Sequence, residues 1–205
     1  DFYYYSGIYR DVHMVITDKV YITDELQEDI VAGGGQFITY PEVSPEFART
    51  HVSTHIRNLS DKGMYLQVVS RLIDSNGKTV SENKTQSKLN RESATTVEQD
   101  LPLAHPALWH PYSPNLYTLQ TQLISQGKIL DERQQQIGIR HIRYTAKEGF
   151  FINGKKLYLR GANRHQAYPN VGDAASNSMQ EREVIDLKRG GYNAVRAAHY
   201  PNDPA

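Results

Sequence analysis

Ala48-Arg49-Thr50-His51-Val52-Ser53-Thr54-His55-Ile56-Arg57 alternates without a break between small or apolar residues and polar or charged ones. A period of two sustained over such a length is the signature of a β-strand with one face in a core and the other in water. The same grammar continues on both sides. Met64, Leu66, Val68 and Leu72 share one face of a following strand. Asp74-Ser75-Asn76-Gly77 turns that strand, and its Asn-Gly pair is expected to supply the positive φ angles of a tight hairpin. Leu101-Pro102 is expected to close another strand, and Trp109 lies in a loop punctuated by Pro102, Pro106, Pro111 and Pro114. Tyr117, Leu119, Thr121 and Leu123 point inward against Thr118, Gln120 and Gln122. Gln126-Gly127-Lys128 then leads into a polar strand from Ile129 that suits a sheet edge. Upstream, Ser6-Gly7-Ile8-Tyr9-Arg10-Asp11-Val12 reads as a turn entering a strand from His13 to Thr17. About seven strands at this spacing predict an immunoglobulin-like β-sandwich without the Cys pair of antibody domains.

After Arg143 the pattern changes. Phe150-Phe151-Ile152-Asn153-Gly154-Lys155-Lys156-Leu157 predicts a hairpin on a second Asn-Gly turn. Leu157-Tyr158-Leu159-Arg160-Gly161 reads as a strand, followed by Ala162-Asn163-Arg164-His165. Beyond a long loop, Ser178-Met179-Gln180-Glu181 has capping-box form, with Ser178 at the N-cap and Glu181 at N3. Val184, Ile185 and Leu187 supply an apolar stripe, and Gly190-Gly191 stops the helix. Asn193-Ala194-Val195-Arg196-Ala197-Ala198-His199-Tyr200-Pro201 follows as an apolar strand with one arginine of buried type and a terminal histidine. Strand, helix and strand with short joins imply a parallel pair with a right-handed crossover, the opening of a TIM (β/α)8 barrel. The fold class is therefore mostly β. Residues 1–11 read as the tail of a preceding domain, 12–143 as the sandwich and 144–205 as the truncated start of a barrel.

Composition narrows the function classes. The net charge is zero, so no basic footprint for nucleic acid or an anionic membrane is present. No apolar run approaches the ~18 residues of a membrane span, and no cationic-then-apolar leader opens the chain. The absence of cysteine excludes disulfides and thiolate metal sites. The abrupt aromatic start, Asp1-Phe2-Tyr3-Tyr4-Tyr5, suggests a piece cut from a longer chain. Localisation is left open between a periplasmic and a cytoplasmic setting.

Five stretches, taken in order, carry a resemblance. They are Ser6-Gly7-Ile8-Tyr9-Arg10-Asp11-Val12, Leu108-Trp109 with Pro114-Asn115-Leu116-Tyr117, Asn153-Gly154-Lys155, Arg160-Gly161-Ala162-Asn163-Arg164-His165, and 193–201. Together they resemble glycoside hydrolase family 2, with the bacterial β-galactosidases among its members. The resemblance implies the end of an N-terminal jelly-roll sugar-binding domain, a complete sandwich and the first barrel strands. It also implies a retaining glycosidase, in which one carboxylic acid protonates the leaving oxygen and a second carboxylate attacks the anomeric carbon. Both are expected to be glutamates beyond Ala205, so the 205-residue chain is expected to be inactive by itself. Glu181 and Glu183 are read as surface-helix residues outside the chemistry.

The resemblance places His165 and His199 as substrate-binding residues that donate hydrogen bonds to sugar hydroxyls, and Arg196 as the support of the nucleophilic carboxylate. Asp1 is a weaker substrate-binding candidate. Arg160 is read as a brace of the barrel floor, and Asn163 and Arg164 as scaffold. Some β-galactosidases place an acidic residue and a further histidine directly after the first of these histidines; here Gln166 and Ala167 stand instead.

His51 and His55, at i and i+4 on one strand, lie ~13 Å apart, too far for one metal, and both are expected at the surface. No metal-ligand set is visible, although the parent enzyme is expected to use a divalent cation such as Mg2+. Gly33-Gly34-Gly35 lacks the Lys-Ser/Thr and helix of a phosphate loop. The alternatives are β-glucuronidase or β-mannosidase of the same family, or a non-catalytic carbohydrate- or protein-binding sandwich. The expected partner is a β-galactoside, with no nucleic acid or membrane. Exposed barrel strands are expected to pack irregularly on the sandwich or to promote self-association.

Overall fold

A computed structural model describes residues 7–31, 33–199 and 201–203. Two compact units emerge: one comprises 16–145 with 151–155, the other 7–15, 146–150 and the described residues from 156 onward.

The first unit holds β1 (Val20–Ile22), β2 (Gln36–Val43), β3 (Phe47–Asn58), β4 (Met64–Ile73), β5 (Thr79–Leu89) and β6 (Ser93–Ala104). The two-residue strands β7 (Trp109–His110) and β8 (Ser113–Pro114) follow, then β9 (Tyr117–Ser125), β10 (Lys128–Ile137) and β11 (Ile142–Thr145). One sheet is built on β3, with β6 along one edge and β1 and β2 sharing the other. The second has the order β10-β9-β4-β5. All pairings within these two sheets are antiparallel. This is the expected sandwich.

The alternation read from the sequence builds the core directly. Ala48, Thr50, Val52, Thr54 and Ile56 are each 0% exposed. The core has two apolar halves with a polar belt between them. Ile56, Leu66, Val68, Val97 and Leu123 lie in one half, and Val52, Leu72, Leu101 and Leu119 in the other. The middle inward position of each of these strands is polar: Thr54 on β3, Ser70 on β4, Gln99 on β6 and Thr121 on β9. Ser70 Oγ donates to Gln99 Oε1 at 2.7 Å and lies 2.9 Å from Thr121 Oγ1. Gln36 Nε2 donates to Thr121 Oγ1 at 2.8 Å. Such partnering offsets the desolvation these groups suffer on burial, and it ties the two sheets in register.

Several local expectations are corrected. Residues 13–17 form no strand, and Val12, Met14, Val15 and Ile16 are all more than three-quarters exposed. Met14-Val15-Ile16 is a short apolar run without alternation, and it pairs with no strand among the described residues. Leu101-Pro102 does not end a strand: β6 runs on to Ala104, because Pro102 lies on an edge strand, where a missing N–H is tolerated. At 74–78 only Gly77 has a positive φ (79°). Asp74 Oδ1 accepts the N–H groups of Asn76 and Lys78, both at 2.9 Å, so an acidic side chain shapes a turn that Asn76 was expected to shape. Gln126-Gly127 and Asn153-Gly154 do have both φ values positive, as a tight hairpin requires. His51 and His55 also part company. His55 is 9% exposed, because Thr23 and Glu28 shield its ring: Nδ1 lies 2.9 Å from Thr23 Oγ1 and 4.0 Å from Glu28 Oε2.

The hairpin β12 (Gly149–Ile152) and β13 (Lys155–Lys156) leads to β14 (Gly161–Arg164), α1 (Asn177–Arg189) and β15 (Ala194–Ala197). β14 and β15 pair in parallel, as expected of a barrel opening. The strand predicted at 157–161 instead occupies 161–164. Gly161 makes the pairing close: a Cβ there would stand 3.1 Å from the Ala194 carbonyl oxygen. The helix begins at Asn177 with Ser176 at the N-cap, not Ser178, and no side-chain capping bond forms. Extended Ser176 offers its carbonyl to Met179 N and Gln180 N, which starts the helix earlier than the capping-box pattern implies. Val184 and Ile185 are exposed, and Gln180 is the buried residue of the helix. The apolar stripe is thus not the packed face within the described residues. Among the described residues no helix is long and apolar enough to cross a membrane.

Candidate functional site

The ends of β14 and β15 bring the two histidines together. His165 follows β14 directly and His199 stands two residues beyond β15. Their rings meet edge to face with centroids 5.5 Å apart. Both are exposed, a precondition for meeting a ligand. The register pairs Asn163 with Arg196 across the two strands. Arg196 Nη1 donates to Asn163 Oδ1 at 3.3 Å, and its Nη2 lies 3.3 Å from His199 Nδ1. A guanidinium only donates, so this contact requires His199 Nδ1 to be unprotonated. The tautomer that follows carries its proton on Nε2, which leaves that N–H as a donor to a neighbouring oxygen.

Arg196 is exposed, which corrects its reading as an arginine of buried type. The buried arginine is Arg164, 6% exposed, on the opposite face of the strand pair from Asn163. Arg164 Nε donates to Glu183 Oε2 at 2.9 Å and its Nη1 to Asn202 Oδ1 at 3.0 Å, while Gln180 Oε1 accepts from Nη2. Tyr168 O–H also donates to Glu183. Burial first, and then this bond to an anionic acceptor, push the Tyr168 phenol above its ordinary range. One guanidinium therefore gathers α1, the loop after β14 and the segment after β15. The expectation that Arg164 is scaffold understates it, and Glu183 is a structural counter-ion.

A second arginine joins the same loops from the far end of the chain. Arg10 Nη2 donates to Gln166 Oε1 at 2.5 Å and to the Pro201 carbonyl at 2.8 Å, with Asp203 Oδ2 3.9 Å from its Nε. Gln166 and Arg10 escaped the sequence reading as site residues. The signal for Arg10 was the Gly-Ile-Tyr-Arg-Asp-Val motif, far from either histidine in sequence, and that for Gln166 was its place directly after His165. Arg160 is exposed and takes part through its backbone: its N–H donates to Asn193 Oδ1 at 2.8 Å, and its carbonyl accepts from Asn193 and Ala194. Asp1 lies outside the described residues. Among the described residues no group of three or more His, Asp or Glu is placed to hold a metal ion.

The chain thus carries an antiparallel sandwich and, later in sequence, a parallel strand pair with a polar, histidine-bearing end. Residues 35–140 match glycosyl hydrolases family 2, and 144–205 match the TIM barrel domain of that family. The chain belongs to glycosyl hydrolases family 2. It is 32% identical over 203 residues to a β-glucuronidase of Bacteroides fragilis, covering 98% of this chain and 28% of that protein. It is 30% identical over 204 residues to a β-galactosidase of Thermoanaerobacter pseudethanolicus, covering 98% and 25%. A crystal structure of a family 2 member from Bacteroides cellulosilyticus DSM 14838 superposes with a TM-score of 0.89 at 31% identity, over 97% of this chain and 26% of that one. The chain thus spans about a quarter of the length of the curated relatives it matches. The names of these two relatives divide between two sugars.

Proposed function

We propose that the chain is part of a retaining β-galactosidase that hydrolyses terminal β-galactosides, and that His165, His199 and Arg196 form one wall of its sugar subsite. The observation that carries the reading is the exposed pair of imidazoles at the ends of two adjacent parallel strands, 5.5 Å apart, with Arg196 holding His199 as an Nε2–H donor. In a (β/α) barrel the strand ends are where chemistry is assembled. A donor fixed before the sugar arrives contributes most when its bond strengthens in the oxocarbenium-like transition state. The general acid and the nucleophile are carboxylates supplied by later barrel strands of the longer protein. Glu183 is unsuited to either role, since Arg164 and Tyr168 occupy its carboxylate. Arg196 lies on the strand face that carries the histidine contact, and there a cation keeps a neighbouring carboxylate ionised.

The test uses the full-length protein with aryl β-galactoside, β-glucuronide and β-mannoside in parallel. The expected result is a preference for the galactoside, with His199→Ala raising KM and the 205-residue chain inactive on all three. A preference for the glucuronide would replace the galactosidase reading with that of the family's glucuronidases. Hydrolysis by the 205-residue chain would overturn the placement of the carboxylates.

A further inference from the structure

We propose that Arg10 is a positioning residue that sets the spacing of His165 and His199, a role that rests on the sugar-wall reading above. Its Nη2 bridges two acceptors: the side chain of Gln166, which follows His165, and the carbonyl of Pro201, two residues after His199. The contacts span 156 and 191 residues of sequence, so a segment preceding the sandwich reaches both rim loops at once. The setting is partly sheltered: the bond to Gln166 is part-buried and that to Pro201 exposed, with the Arg10 side chain 27% exposed and that of Asp203 11% exposed. Charge-assisted bonds formed in such surroundings are stronger and better directed than bonds in water. A guanidinium suits the task because its donors are fixed in one plane, so the two acceptors are held at a set separation. Arg164 joins the same two loops through Tyr168 and Asn202. Neither arginine has to touch the sugar for its loss to be felt there, because a misplacement of about 1 Å in a binding group costs up to about 100-fold in rate.

The experiment is a double-mutant cycle in the full-length protein with an aryl β-galactoside as substrate. Arg10→Met is expected to lower kcat/KM by roughly 10- to 100-fold, mostly through KM, and Arg10→Lys to restore part of the loss. His199→Ala is expected to cost much less in the Arg10→Met background than in wild type, a coupling that a general loss of stability would not produce. If Arg10→Met does not fold, Gln166→Leu, which leaves Arg10 its Pro201 and Asp203 partners, is expected to show the same coupling at smaller amplitude. Independent, multiplying effects, or a kcat/KM within twofold of wild type, would overturn the role of Arg10 while leaving the sugar wall standing. If neither His165→Ala nor His199→Ala changes KM, the sugar wall fails and the positioning role fails with it.

Discussion

Arg164 and Glu183 form an ion pair whose partners differ sharply in burial, and this asymmetry makes a quantitative prediction. The Arg164 side chain is 6% exposed and that of Glu183 is 30% exposed. Removing the arginine leaves a carboxylate that water can reach, so Arg164→Met is expected to destabilise the barrel portion by only about 2 kcal/mol. Removing the glutamate leaves a guanidinium in a nearly closed site with only neutral acceptors, and Glu183→Leu is expected to cost about 3–5 kcal/mol. Amide exchange resolves the two locally. The N–H of Ala198 donates to Arg164 O at 3.1 Å, and those of Asn193 and Ala194 to Arg160 O at 2.9 and 3.2 Å. Their protection should fall by about 30-fold in Arg164→Met and by at least about 150-fold in Glu183→Leu. The sandwich amide of His55, bonded to Gly35 O, serves as the internal reference and should not change. The reverse ranking, or equal loss at His55, would show that the pair does not act as a local clamp.

Two further predictions concern the sandwich. Gln99 is 2% exposed; its Nε2 donates to Val68 O at 3.1 Å and to Thr85 Oγ1 at 3.2 Å, and its Oε1 accepts from Ser70. Gln99→Leu should therefore lower stability in urea by about 1–3 kcal/mol, because Ser70 loses its buried acceptor; a variant as stable as wild type would refute the belt's accounting. His51 lies between Asp100 Oδ1 at 2.8 Å and Glu98 Oε2 at 3.0 Å, and its pKa is raised, chiefly by the bond to Asp100. A raised folded-state pKa gives stability that is fully present below the unfolded value of about 6.5 and is lost as pH rises through the folded value. With its side chain about a third exposed, His51 should contribute no more than about 1 kcal/mol. Wild type and His51→Gln should accordingly converge in stability at alkaline pH and differ below neutrality; a gap that widens with rising pH would contradict the assignment.

Much of the fold was legible because a half-buried strand writes its burial into every second residue. The inward set of β3 and that of β9 from Tyr117 to Leu123 could be read directly. Periodicity does not reveal which inward positions are polar by design. Ser70 falls in the same inward series as Leu66, Val68 and Leu72, and its meaning comes only from Gln99 and Thr121 on other strands. His55 was misjudged for a related reason. Its outward parity on β3 was right, but Thr23 and Glu28 shield its ring. Local pattern carries no information about what a distant loop will shield.

The site shows the same division between local and distant information. His165 and His199 could be located because each closes a short motif at the end of a strand. The roles of the arginines could not be sorted by composition, since the polar neighbours of Arg164 (Asn163 and His165) and the apolar neighbours of Arg196 (Val195 and Ala197) suggest the reverse of the burial observed. Parity on the β14–β15 pair separates them. Asn163 and Arg196 are register partners and share a face, so Arg164, one residue along, must point to the other. That one-residue difference sends one guanidinium toward α1 as a buried clamp and leaves the other exposed beside His199. The face with Arg196 is left free to meet a ligand because the face with Arg164 carries the attachment to the helix.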